Sequence, residues 1–90
     1  MNLEEERKLR AQLEQMHNWP DVYMYKFVLP NDDEKLATLM TYFTQSADVQ
    51  VKQSSAGKYI AITVKEVMMS ADAVIERYKS IKAIEGLLSL

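Results

Sequence analysis

Ninety residues, 48% of them hydrophobic and 27% charged, fit one folded domain that buries roughly 60 to 65% of its unfolded surface, and exclude a disordered tail. The net charge of −2 weighs against nucleic acid and anionic membrane as partners, unless a local patch supplies the attraction. The chain has no cysteine, no apolar run near the roughly 20 residues of a membrane helix and an acidic Met1–Glu6 start, so a cytoplasmic protein without disulfides, export signal or membrane contact is expected.

From Asn2 to His17 the chain lacks Gly and Pro and is dense in Glu, Arg, Lys, Gln and Leu, which predicts an amphipathic helix with Leu9, Leu13 and Met16 on one stripe. Pro20 breaks it. Val22 to Leu29 alternates as a strand, with Tyr25, Phe27 and Leu29 on one side and Met24, Lys26 and Val28 on the other. Asn31 and Glu34 have capping-box spacing, and Leu36, Leu39, Met40 and Phe43 then mark a helix expected to end near Gln45 and Ser46. Val49 and Val51 alternate with Gln50 and Lys52. After Ser54–Gly57 the alternation resumes, with Ile60, Ile62 and Val64 against Tyr59, Ala61 and Thr63, which makes a hairpin. Ser70 caps a second amphipathic helix carrying Val74, Ile75, Tyr78 and Ile81. Glu85 to Leu90 reads as a short last strand with Leu88 and Leu90 inward and Leu87 outward.

The predicted fold is therefore α+β. It is a ferredoxin-like βαββαβ sandwich in which two right-handed crossovers place two helices on one face of a four-stranded antiparallel sheet, preceded by an N-terminal amphipathic helix. Residues 1–18 form the helical extension and residues 19–90 the domain.

At Trp19-Pro20, Tyr25-Lys26-Phe27-Val28, Ser54-Ser55-Ala56-Gly57-Lys58-Tyr59 and the spacing of Val74-Ile75, Tyr78, Ile81 and Gly86, the sequence resembles the YbeD-like family of small bacterial domains of unknown function (domain of unknown function 493). The resemblance spans roughly Trp19 to Leu90, a single-domain length. It implies a ferredoxin-like domain similar to ACT regulatory modules, with no established catalytic activity. An ACT-type effector site is expected at the turn from first strand to first helix, commonly with a Gly. Here that turn is Pro30-Asn31-Asp32-Asp33, which has no Gly and carries two acids that would repel an amino-acid carboxylate, so the resemblance does not extend to a small-molecule ligand.

No residue constellation adds up to a catalytic, cofactor or metal site, and a non-enzymatic protein is expected. His17 is the only histidine, read as a solvent-exposed helix end without a defined carboxylate partner. Asp32, Asp33 and Glu34 are consecutive and point in different directions, unlike the alternating ligands of a calcium loop. The Ser54–Lys58 loop leads into a strand, whereas a phosphate loop leads into a helix. Acylphosphatase chemistry on this fold would need an Arg and a phosphate cradle at the first strand-to-helix turn.

The uncovered sheet face remains. The alternation places Met24, Lys26, Val28, Lys52, Tyr59, Ala61, Lys65 and Leu87 on it, and an exposed apolar patch of this kind calls for a partner. The occupants weighed are the Leu9-Leu13-Met16 stripe of the same chain, a second copy forming a homodimer, and a different protein. A regulatory or protein-interaction module is the first expectation. Single-stranded RNA binding through Tyr59 with Lys26, Lys52 and Lys65 is the alternative.

Overall fold

A computed structural model describes residues 1–90. The elements run α1 (Leu3–Met16), β1 (Asp21–Pro30), α2 (Asp33–Met40), β2 (Asp48–Gln53), β3 (Tyr59–Met68), α3 (Ala71–Ile81) and β4 (Leu88–Ser89). The strands form one antiparallel sheet in the order β2-β3-β1-β4. The fold is α+β, with three helices and one sheet face left open.

Caps set most of the boundaries. At α1, the Glu5 N–H donates to Asn2 Oδ1 at 2.8 Å and three glutamates in the first turn complement the helix dipole. At α3, Ser70 accepts from the Ala73 N–H as expected. The cap of α2 falls one residue later than the sequence spacing indicates. Asp32, not Asn31, accepts the Glu34 and Lys35 N–H groups, because β1 pairing continues through Asn31. The Asn31 N–H donates to the Lys58 carbonyl and its side chain to the Gly57 carbonyl, which closes the end of the β1–β3 ladder. α2 also stops at Met40, short of the expected Gln45. The Thr41 hydroxyl donates to the Thr38 carbonyl and the Tyr42 and Phe43 N–H groups bond three residues back, so the chain tightens into turns while Phe43 still reaches the core.

The inward side of the sheet follows the alternation. Tyr25 pairs with Val64, Phe27 with Ile62 and Leu29 with Ile60, and all six are buried against Leu39 of α2 and Val74, Ile75 and Ile81 of α3. β3 continues past Val64, adding Glu66 and Met68 to the same side.

Two expectations for apolar positions are corrected. Leu13 is buried and Leu9 half-buried, but Met16 is 76% exposed. Ion pairs Glu6–Lys79 and Arg10–Asp72 set α1 antiparallel to α3, so Met16 lies beyond the first turn of α3 with nothing to pack on. In β4 the parity is the reverse of that expected: Leu87 packs against the core, while Leu88 and Leu90 are exposed. The chain arrives through a turn in which the Leu87 N–H donates to the Ile84 carbonyl. Gly86 then takes φ +82 against Pro30, where an added Cβ would lie 2.9 Å from Pro30 Cγ. Pairing of Leu88 with Val28 fixes the rest.

Candidate functional site

In a sheet, residues paired across strands share a face, so the register defines the open side. Met24 opposes Lys65, Lys26 opposes Thr63, Val28 opposes Ala61, and across the next ladder Lys52 also opposes Ala61. Tyr59 stands opposite Pro30 at the end. Seven of the eight residues assigned to this face from sequence are thus brought together, and Leu87 is not among them. Leu88 takes its place beside Val28.

Besides Leu88, the sequence reading missed two apolar members, Val22 and Val67, which oppose one another and are exposed. Val22 has the parity of Met24. Val67 follows once β3 is carried past Val64, and the unbroken alternation Lys65-Glu66-Val67-Met68 was the available signal.

No helix covers this face. The α1 stripe, one of the occupants considered, is engaged with α3 and the core instead, through Leu13. The face carries an apolar set of Val22, Met24, Val28, Ala61, Val67 and Leu88. Lys26, Lys52 and Lys65 are interspersed among them and none forms an ion pair within the chain. Asp48 stands opposite Lys65 and reduces the positive field there. Tyr59, 53% exposed, borders a shallow hollow of about 370 Å³ lined also by Val28, Lys52, Ser54 and Ala61.

His17 is not a solvent-exposed helix end. Its Nδ1 lies 2.9 Å from Asp21 Oδ2, and its ring stacks on Trp19 at 4.8 Å and meets Tyr23 at 5.6 Å. The turn at Pro20 folds the chain back so that the two partners, four residues apart, meet. The bond from His17, followed by the Val22 N–H, holds the Asp21 carboxyl below the usual aspartate range. The pair joins α1 to β1 at the edge of an aromatic cluster containing Tyr23, Tyr25 and Tyr78. There the Tyr23 and Tyr78 hydroxyls bond at 2.9 Å. Burial raises the Tyr25 and Tyr78 phenols well above the ordinary tyrosine value, helped at Tyr78 by the bond to Tyr23.

Glu66 is the one buried acid, 7% exposed on the core side of β3. Its Oε1 lies 2.9 Å from Arg77 Nη1, a charge contact rather than a well-aligned hydrogen bond. Its Oε2 accepts from the Thr44 N–H at 2.8 Å and the Thr44 hydroxyl at 3.0 Å. The Arg77 guanidinium sits 4.7 Å from the Phe43 ring centroid. This network ties the loop after α2 to β3 and α3. It lies beneath the sheet, away from the open face.

At the first strand-to-helix turn, Asp32, Glu34 and Glu85 line a cleft of about 310 Å³ with Lys35 as its one cation. Asp32 Oδ1 is committed to capping α2. An acidic lining of this kind opposes a carboxylate ligand.

The class so defined is a small α+β domain with an open-faced antiparallel sheet whose exposed side is apolar with interspersed lysines. Within that class the chain belongs to the family described as a protein of unknown function, DUF493, whose model matches residues 14–89 and agrees with the resemblance drawn from the hairpin and strand motifs. No curated protein and no solved structure matches the chain.

Proposed function

We propose that the chain is a non-enzymatic regulatory module of ferredoxin-like, ACT-like build that works in the cytoplasm by engaging a protein partner through the open face of its sheet. The strand order β2-β3-β1-β4, with α2 and α3 in the two crossovers, supports the split βαβ reading. The observation that carries the interaction role is the exposed set Val22, Met24, Val67 and Leu88, which no element of the chain covers. Apolar side chains grouped in this way gain free energy only when a partner removes them from water. Met24 lets the surface adapt to the partner's shape, and the lysines favour an acidic rim on that partner.

The test is affinity capture with the wild-type chain and with Met24→Glu/Val67→Glu as baits. The partner should be lost with the variant, and a partner captured equally by both would refute the reading. The second reading, single-stranded RNA, has one observation in its favour: Tyr59 and three unpaired lysines share the face. Three phosphate contacts on a single strand would weaken binding about 20-fold between 50 and 200 mM salt, and Tyr59→Ala would cost about 1 to 3 kcal/mol. Fluorescence anisotropy with an oligonucleotide at low salt separates the two readings. Protein-partner engagement predicts no RNA binding there, and salt-sensitive binding lost in Tyr59→Ala would replace it.

A further inference from the structure

All six residues of β2 are exposed, and no strand lies along its outer edge. Bare edges pair with other strands unless something blunts them. β2 has no proline, no break in its pairing with β3, and a single lysine, Lys52.

The phase of its unused hydrogen-bonding groups is fixed from within. The Ser54 N–H donates to the Tyr59 carbonyl at 2.8 Å, and the register with β3 runs unbroken from there to Asp48. Backbone groups of a strand alternate sides. Ser54, Lys52, Gln50 and Asp48 therefore turn theirs toward β3, while Val49, Val51 and Gln53 turn theirs outward.

The side chains alternate in step. Val49 and Val51 oppose Val64 and Ile62 and so lie on the helix side, yet they are 37% and 47% exposed because the helix layer stops short of this edge. Asp48 and Lys52 lie on the open side, and neither forms an ion pair within the chain.

We propose that a second copy of this chain pairs with this edge, β2 antiparallel to β2, about a two-fold axis at Gln50. Only registers that match outward-turned residues with one another satisfy the free N–H and C=O groups, which places the axis at Val49, Gln50 or Val51 among the central registers. With the axis at Gln50, Val49 meets the partner's Val51 and the two exchange both main-chain bonds. Asp48 meets the partner's Lys52, and symmetry repeats each contact. The axis at Val49 would set Asp48 against the partner's Gln50, and the axis at Val51 would set it against the partner's Ser54. Both alternatives lose the charge match and the double valine match. The paired edge joins two sheets into one and fills the strip beside the helices with valines from both chains. This goes beyond the open-face reading, because the face itself stays free for another protein.

Light scattering on the full chain over a concentration series reads the association, and twice the 10.4 kDa chain mass is expected at the upper end. Asp48→Lys and Lys52→Asp each set like charges opposite one another and should weaken the dimer about 10-fold. Asp48→Lys/Lys52→Asp together restores opposite charges and should recover most of that loss. Amide exchange adds a readout of register. The Val49 and Val51 N–H groups should slow as concentration rises, while those of Gln50 and Lys52, already turned to β3, should not change. Met24→Glu/Val67→Glu should dimerise like the wild type, so failure of the edge and failure of the open face are separate results. The pairing is overturned by a chain that stays monomeric throughout, by single swaps without effect, by a combined swap no better than either single, or by a dimer that the open-face variant abolishes.

Discussion

The Tyr25 hydroxyl lies in the core without a hydrogen-bond partner, among the rings of Tyr23, Phe27, Phe43 and Tyr78. An unpaired buried hydroxyl costs about 1 to 3 kcal/mol, so Tyr25→Phe should raise stability by about 1 kcal/mol, read as a higher urea midpoint. A loss of that size would mean that the hydroxyl is bonded. Glu66 is the opposite case. Burial alone would push its carboxyl up, but the Thr44 N–H, the Arg77 charge and the Thr44 hydroxyl more than offset that and hold it below its ordinary value of 4.5. A carboxyl depressed in the folded state stabilises the fold fully above the unfolded value, and that contribution is lost as pH falls through the folded value. Stability should therefore decline as pH drops below about 4.5, and Glu66→Gln should flatten part of that decline. Parallel profiles for the two chains would show that Glu66 is not the group being titrated. At neutral pH the same substitution leaves Arg77 opposite a neutral amide. A cost of about 3 kcal/mol is expected, the low end for a broken buried pair, because the Arg77 side chain keeps 19% exposure.

α1 joins the domain through Leu13, and its ion pairs with α3 orient it more than they hold it, since Asp72 is largely exposed and the Arg10 and Lys79 side chains keep 41% and 44% of their surface in water. Leu13→Ala should cost about 3 kcal/mol, whereas Met16→Ala should stay within about 0.5 kcal/mol; equal effects in urea denaturation would contradict this placement of the helix. The contrast marks where the sequence was readable. Leu9, Leu13 and Met16 share one stripe by spacing, but spacing cannot show that α1 lies antiparallel to α3 with Arg10 at Asp72, so that its neighbour along the stripe ends before Met16. β1, β3 and α3 were legible because their alternation or period continues over many residues and Ser70 supplies a cap. β4 was not, because two paired residues leave parity to the Gly86 turn and to Val28. His17 was misread for a related reason. Its partner Asp21 lies beyond a proline turn whose geometry no local pattern encodes.

On the scale of the whole chain, the open face was the legible part of the candidate site, because parity along three strands assigns faces without knowledge of strand order. The edge of β2 was not legible, since the order β2-β3-β1-β4 decides which strand has no neighbour. The same global packing makes α1 and the sheet one unit. Leu13 belongs to the core cluster of Tyr25, Phe27 and Val74, and Trp19, stacked on His17, packs against that cluster at the junction of α1 and β1. Elements that share one core lose their packing together, so a single cooperative transition is expected. Helix content by far-UV circular dichroism and the environment of Trp19 by fluorescence should follow coincident melting curves. A fluorescence change preceding the main loss of helix would mean that α1 and the His17–Trp19 junction detach first, leaving the sheet with α2 and α3 to unfold separately.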